Sequence, residues 1–260
     1  MDLQLNGKTA LVTGASRGIG LAVVQSLAAE GVRVVAAART AAPEWKAAGA
    51  IPVTVDLSDP AGAERLVTEA VAELGGIDIL VNNVGGGDGA LSGGFLDLTD
   101  DQWAQVTDLN FSATVRVTRA ALPALLAARG SIVNVSSTSA RVPQGSPIAY
   151  ATAKAALTAF GKGLAEEFGS RGVRVNTVSP GPVRTAMWES PTGYGAGVAT
   201  AMGIDHTDLL AGLPTATGML IDRLIEPEEV ATLITYLSSP LAAATTGTDH
   251  LIDAGSVKTA

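Results

Sequence analysis

The chain of 260 residues contains no cysteine, which excludes disulfides, thiolate-held zinc, iron–sulfur clusters and a thiol nucleophile. It has two histidines, His206 and His250, and neither stands in a metal-ligand spacing, so no protein metal site is expected. Positive charge is in deficit: 17 Lys and Arg against 25 Asp and Glu give a net charge of −8. No basic cluster is dense enough to track a phosphate backbone, and nucleic acid is not expected as a partner. No apolar run approaches the ~20 residues needed to span a bilayer. The first residues, Met1 to Lys8, lack the basic-then-apolar order of a secretory signal. No membrane association is therefore expected, and the cytoplasm is the default compartment. Aromatic residues make up only 4%, so the core must be aliphatic. What is plentiful is aliphatic side chains and glycine, 47% hydrophobic residues with 30 glycines, the composition of a globular α/β protein.

Short aliphatic runs alternate with longer helical stretches, the pattern of parallel strands covered by helices on both faces. Strands are expected at Thr9 to Thr13, Arg33 to Ala38, Ile51 to Val55, Ile79 to Asn82, Ser131 to Val135, Arg174 to Val178 and His250 to Ile252. Helices are expected near Gly18 to Glu30, Pro60 to Leu74, Thr99 to Arg129 with breaks, Ile148 to Phe168 and Pro227 to Ser238. The fold class is thus α/β, a doubly wound seven-stranded parallel sheet, with residues 1–260 as a single domain. Ligand belongs beyond the carboxyl ends of the strands, at the crevice where strand order reverses. One segment, 186–226, mixes Gly, Pro, Met, Trp and His without clear periodicity and reads as a long loop, a lid over a site.

Three residues carry the chemical signal. Tyr150 and Lys154 lie four apart in Tyr150-Ala151-Thr152-Ala153-Lys154, which on a helix places them on one face, and Ser137 precedes Tyr150 by thirteen. A free phenol has a pKa of about 10. A unit charge roughly 5 Å away, at an effective dielectric of about 20, favours phenolate by about 3 kcal/mol. Lys154 is therefore expected to draw Tyr150 toward a working range for acid–base chemistry. Near the start, the first strand runs into Thr13-Gly14-Ala15-Ser16-Arg17-Gly18-Ile19-Gly20. Glycine there permits a tight turn and close approach of backbone to a pyrophosphate, with the next helix aimed at it.

The spacing of Gly14, Gly18 and Gly20, with Asp56-Leu57, Asn82-Asn83-Val84-Gly85, Asn110, Ser137, Tyr150 with Lys154, and Pro180-Gly181 followed by Val183 and Thr185, resembles the short-chain dehydrogenase/reductase family. The resemblance covers nearly the whole chain and implies a Rossmann-like fold. Two positions depart from the family pattern, Val84 in place of alanine and Ala254 in place of glycine. The resemblance implies a nicotinamide cofactor held by Gly14, Ser16, Arg17, Gly18, Ile19, Gly20, Arg39, Asp56, Leu57, Asn83, Gly85, Tyr150, Lys154, Pro180, Gly181, Val183 and Thr185. Asp56 would contact the adenine amino group, Asn83 the adenosine ribose or nearby backbone, and Val183 and Thr185 the carboxamide. Read alone, Asp56 is better taken as the cap of the helix near Pro60. The second strand ends Ala37-Ala38-Arg39-Thr40 without the carboxylate that would repel a 2′-phosphate, and Arg39 and Arg17 offer charge for one, so NADP(H) is the expected cofactor.

The implied reaction moves hydride between nicotinamide and a small carbonyl or secondary alcohol. Tyr150 is the acid/base, Ser137 holds the oxygen, and Lys154 stabilises tyrosinate and binds the ribose. Asn110 would hold a water against Lys154, or would simply be a satisfied helix asparagine. Ser136 competes with Ser137, and the interval to Tyr150 selects Ser137. Met187, Trp188, Met202, His206, Leu209, Leu210 and Met219 suggest an apolar, plastic pocket, with His206 either bonding substrate or lying on the surface. Arg129 and Arg171 leave open an acidic carrier protein, ranked below a free ketone or aldehyde. An idle NADP-binding regulator and an NAD-dependent alcohol dehydrogenase are the alternatives. The resemblance also implies a homodimer or homotetramer, and the alanines of the helix from Ile148 would allow close helix approach.

Overall fold

The computed structural model describes residues 2–86 and 94–258. In chain order it runs β1 (Thr9–Thr13), α1 (Gly18–Ala29), β2 (Arg33–Ala38), α2 (Pro43–Ala47), β3 (Ile51–Thr54), α3 (Gly62–Leu74), β4 (Ile79–Asn82) and α4 (Asp100–Thr107). It continues with α5 (Ala113–Ala128), β5 (Ser131–Val135), α6 (Ile148–Phe168), β6 (Arg174–Pro180), α7 (Ala186–Glu189), α8 (Tyr194–Met202), α9 (His206–Ala216), α10 (Pro227–Ser238) and β7 (Asp249–Ile252). The seven strands form one sheet in the order β3-β2-β1-β4-β5-β6-β7, with every neighbouring pair parallel. Strand order reverses between β1 and β4, so the carboxyl ends of those two strands open the ligand crevice of a doubly wound sheet.

Strand side chains alternate between faces, and the core divides accordingly. Ala10 and Val12 of β1 pack with Val24, Leu27, Ile234 and Leu237 from α1 and α10, whereas Leu11 between them packs with Leu66, Leu125 and Phe168 from α3, α5 and α6. β1, β4 and β5 are buried along their whole length. That two-sided burial is why they read as unbroken aliphatic runs rather than alternating ones.

Most elements stand where the sequence places them, and the differences have local causes. The helix expected from Thr99 to Arg129 starts at a capping box between Thr99 and Gln102, then passes through a π-helical turn, Asp108–Ser112, before α5. The segment 186–226 is not a loop but three helices, α7 to α9. Gly203, at φ +68°, ends α8, and Asp205 accepts from Thr207 N to start α9. α7 and α8, of four and nine residues, complete too few turns to show a clear period, and Pro214 inside α9 reads as a breaker. Both ends of the excursion return to one place: Val183 bridges Ile225, Arg184 N donates to Ile225 O, and Arg184 pairs with Glu189 and Glu226. The five-residue α2 was not expected; Pro43 starts it and the buried Trp45 anchors it. On α6, Ala149, Ala151 and Ala153 face the protein's own interior. Only Ala155 and Ala159 of its alanines are exposed. No helix among the described residues is long and apolar enough to cross a membrane.

Candidate active site

The turn from β1 to α1 is built around glycine. Gly14 and Gly18 adopt φ of +63° and +54°, which side chains rarely take up. A Cβ on Gly14 would lie 2.9 Å from Val84 Cα, and one on Gly18 2.9 Å from Thr185 Cγ2. The second distance matters, because it places the pyrophosphate turn against the segment expected to hold the carboxamide. The first turn of α1 carries no acidic residue, and no side chain caps it. Its amide donors are thus directed at the place where an anion fits. These features, backbone lying where any side chain would intrude and an uncapped helix start, fit a dinucleotide.

The turn is braced from three sides. Thr13 Oγ1 accepts from Asn83 N and Val84 N at 3.1 and 3.2 Å. Asn83 Nδ2 donates to Thr13 O at 3.2 Å and Gly14 O at 3.0 Å, so its amide engages backbone rather than reaching toward a ribose. Trp45 Nε1, buried, donates to Ala15 O at 2.9 Å. Trp45 escaped sequence reasoning because a five-residue helix leaves no periodic trace. Bulky Val84 is accommodated against the core that contains Leu11 and Leu80.

Asp56 is not a helix cap. Its Oδ1 accepts from Ser58 N and Ser58 Oγ at 2.9 and 2.8 Å, and α3 begins six residues later. Those bonds hold its carboxyl below the usual range, and the nearby Arg39 guanidinium adds to the effect. Arg39 is therefore close to Asp56, at the exposed end of β2. Leu57 is buried, and its carbonyl accepts from Arg116, which also grips Asp108 at 2.7 and 2.9 Å. Arg116 thus ties the adenine-side segment to the π turn. The pair lies eight residues apart across the π turn, beyond the three- or four-residue interval of neighbouring helical side chains, so spacing alone does not reveal it.

At the other end of the crevice, Ser137 follows β5, and Tyr150 and Lys154 lie on α6. Ser136 is the structural serine: it is buried, and its Oγ donates to Lys154 O at 3.0 Å. The Tyr150 hydroxyl lies close enough to Ser137 for the serine to favour its ionised form. Lys154 is 3% exposed, its Nζ donates to Val135 O at 2.9 Å and stands 5.7 Å from the centre of the Tyr150 ring. Asn110, fully buried in the π turn, donates to Gly86 O and Val106 O and accepts from Gly86 N, each at 2.9 Å. Gly85 explains the convergence, for a Cβ there would lie 2.9 Å from Asn110 Oδ1 and 3.0 Å from Lys154 Nζ.

The electrostatics differ from the sequence-based expectation. Burial lowers Lys154 from 10.5 to about 8, and burial raises Tyr150 above its ordinary 10, opposed by the nearby Ser137 hydroxyl. Tyr150 keeps part of its ring exposed, but its hydroxyl lies deep enough for desolvation to win. The phenol is therefore not drawn down by the lysine, whose ammonium points at the Val135 carbonyl. At neutral pH Tyr150 holds its proton.

The carboxamide segment follows β6. Gly181 N donates to Ile252 O at 3.0 Å, and Val183 is buried against Ile225. The candidate pocket residues separate into three groups. Met187 faces the site, its Cε 3.9 Å from where a Cβ on Gly86 would lie, whereas Met219 is core and Met202 is 62% exposed. His206 neither lies free on the surface nor points to a substrate: its Nε2 bonds Trp188 O at 2.7 Å, clasping α9 to α7. A groove of about 610 Å³ lined by Leu74, Gly76, Ile77, Ala120 and Pro123 lies at the amino ends of the strands and holds none of the site residues.

A family model for short chain dehydrogenases matches residues 8–192. The chain is 33% identical over 260 residues to the 3-oxoacyl-acyl-carrier-protein reductase FabG of Escherichia coli, covering 97% of this chain and 98% of that one. It is 36% identical over 262 residues to the oxidoreductase UcpA of the same organism, covering 97% and 95% of the two chains. The crystal structure of L-sorbose reductase from Gluconobacter frateurii, complexed with NADPH and L-sorbose, superposes with a TM-score of 0.90 at 31% identity over the full length of both chains. A variant of actinorhodin polyketide ketoreductase with NADPH gives 0.88 at 32% identity, covering 97% and 98%.

Proposed function

The chain belongs to the short-chain dehydrogenase/reductase family, and on that premise we propose that it is an NADP(H)-dependent reductase of small free ketones or aldehydes, with Tyr150 as the proton donor. The observation that carries the reading is that Ser137, at the carboxyl end of β5, and Tyr150 of α6 are brought together beside a buried Lys154 whose Nζ stands 5.7 Å from the centre of the Tyr150 ring. When bound, the nicotinamide supplies or receives the hydride; the protein supplies position and protons.

A carbonyl being reduced develops negative charge on oxygen, which calls for a proton donor and a second hydrogen-bond donor. Tyr150, kept neutral by burial, delivers the proton to that oxygen. Ser137 donates to the same oxygen and holds it during transfer. Lys154 would bind the nicotinamide ribose, and the Val135 carbonyl and Gly85 fix where its ammonium stands. Arg39 and Arg17, at the ends of β2 and β1, would take the 2′-phosphate, and Asp56 the adenine. Asn110 acts by holding Gly86 and, through it, the floor of the site.

Helices α7 to α9 would form the substrate lid, with Arg184 as its neck and Met187 as its inner face. Arg129 and Arg171 stand where β5 and β6 begin, whereas Ser137 and Gly181 stand where those strands end. That separation is why a free substrate is preferred to one delivered by a carrier docked on those arginines. A homodimer or homotetramer completes the proposal, and light scattering measures it. The decisive test is NADPH consumption over a panel of ketones by wild type and Tyr150→Phe. Tyr150→Phe is expected to lose about 10²- to 10⁴-fold in kcat and to keep its NADPH affinity. Cofactor binding with no Tyr150-dependent turnover across a broad panel would point instead to an NADP-binding regulator.

A further inference from the structure

Ser137 does not stand alone. The turn after β5 continues through Thr138–Ala140, and the loop before α6 ends in Ser146 and Pro147. Ser137 Oγ accepts from Ser139 N at 3.1 Å and donates to Ser139 Oγ at 3.1 Å. Ser139 Oγ and Ser146 Oγ are 2.7 Å apart, and either can be the donor. This makes a row of hydroxyls, Ser137, Ser139, Ser146, joining the turn after β5 to the loop that leads into α6 and Tyr150.

We propose that Ser139 and Ser146 are positioning residues for the carbonyl site, a row of hydroxyls that holds the Ser137 proton and turns it toward the substrate oxygen. A serine hydroxyl has one proton to give and two lone pairs to offer. In the structure described here Ser137 gives its proton to Ser139. To hold a substrate oxygen, Ser137 must withdraw that proton, which would leave Ser139 Oγ short of a donor. Ser146, at 2.7 Å, can fill the gap by donating to Ser139, which then donates to Ser137. The direction of the whole row reverses by rotation about C–O bonds alone, every proton staying on its own oxygen. In the reversed row each hydroxyl polarises the next, so Ser137 becomes a stronger donor where charge develops.

This inference rests on the proposed reductase activity, and its test separates the two. Steady-state kinetics with NADPH and its deuterated form on an accepted ketone would compare wild type, Ser139→Ala, Ser146→Ala, the double variant and Ser139→Thr. Ser139→Ala is expected to lower kcat about fivefold, to raise the primary isotope effect and to leave the NADPH dissociation constant unchanged. Ser139→Thr restores kcat. Ser146→Ala acts only through Ser139, so the double variant should be no slower than Ser139→Ala. Wild-type turnover with Ser139→Ala within twofold of it, or additive losses in the double variant, would overturn the row and leave the reductase reading intact. A wild type without Tyr150-dependent turnover would remove both.

Discussion

Replacing Lys154 by methionine removes a buried ammonium, and the consequence should appear first in how stability depends on pH. In the folded chain Lys154 titrates at about 8, down from 10.5, because burial disfavours its charged form. Below pH 8 the lysine is protonated both folded and unfolded, and the folded state bears the full cost of burying it. A shift of that size corresponds to about 3 kcal/mol. Above pH 8 the folded lysine sheds its proton while the unfolded one keeps it. The unfolded state then binds more protons, and stability rises with pH until about 10.5. Integrating from pH 7 to pH 9.5 gives a gain of about 2 kcal/mol for wild type that Lys154→Met cannot show. The offset between the two proteins at pH 7 depends also on the Val135 carbonyl, which loses its donor at a cost of about 1–3 kcal/mol. The difference in slope does not. Urea unfolding of both proteins at half-unit steps from pH 7 to 9.5 measures it, and parallel curves would refute the assignment of a buried, readily deprotonated Lys154.

Arg39→Ala should weaken NADPH binding about tenfold to a hundredfold and leave NADH binding unchanged, read by fluorescence titration; an unchanged preference would defeat the NADP(H) assignment. Trp45→Phe leaves Ala15 O without its donor and shrinks a fully packed ring, so a loss of about 2–3 kcal/mol is expected in urea, with weaker NADPH binding as the glycine turn loosens. Ala254 sits at φ +52°, a left-handed conformation in which a Cβ costs about 1–2 kcal/mol. Glycine relieves that cost but gives back about 0.4–1 kcal/mol through a looser unfolded chain, so Ala254→Gly should stabilise by about 0.5 kcal/mol in denaturant midpoint, whereas Ala254→Val should destabilise.

The strands were legible because parallel strands buried on both faces need uninterrupted aliphatic sequence, and β1, β2, β4 and β5 stand at the residues expected of them. α6 was legible for the same kind of reason, and with it the pairing of Tyr150 and Lys154. The short helices α2 and α7 to α9 were not, because fewer than three or four turns produce no period and their ends are set by contacts made at a distance. The π turn at Asn110 was visible only as an expected break; its form depends on Arg116 gripping Asp108 and on Gly86 receiving the asparagine amide.

What the sequence determined by itself is the sheet, the glycine turn and the placing of Tyr150 and Lys154 on one helix face, since each follows from local pattern along the chain. Tertiary structure alone decided the charge state of the site. Lys154 and Tyr150 are close in sequence terms, yet the ionisation of Lys154 is governed by burial against β5, Gly85 and the π turn, segments 19 to 69 residues before it. Desolvation depends on what surrounds a group in three dimensions, and no pattern along one helix records it.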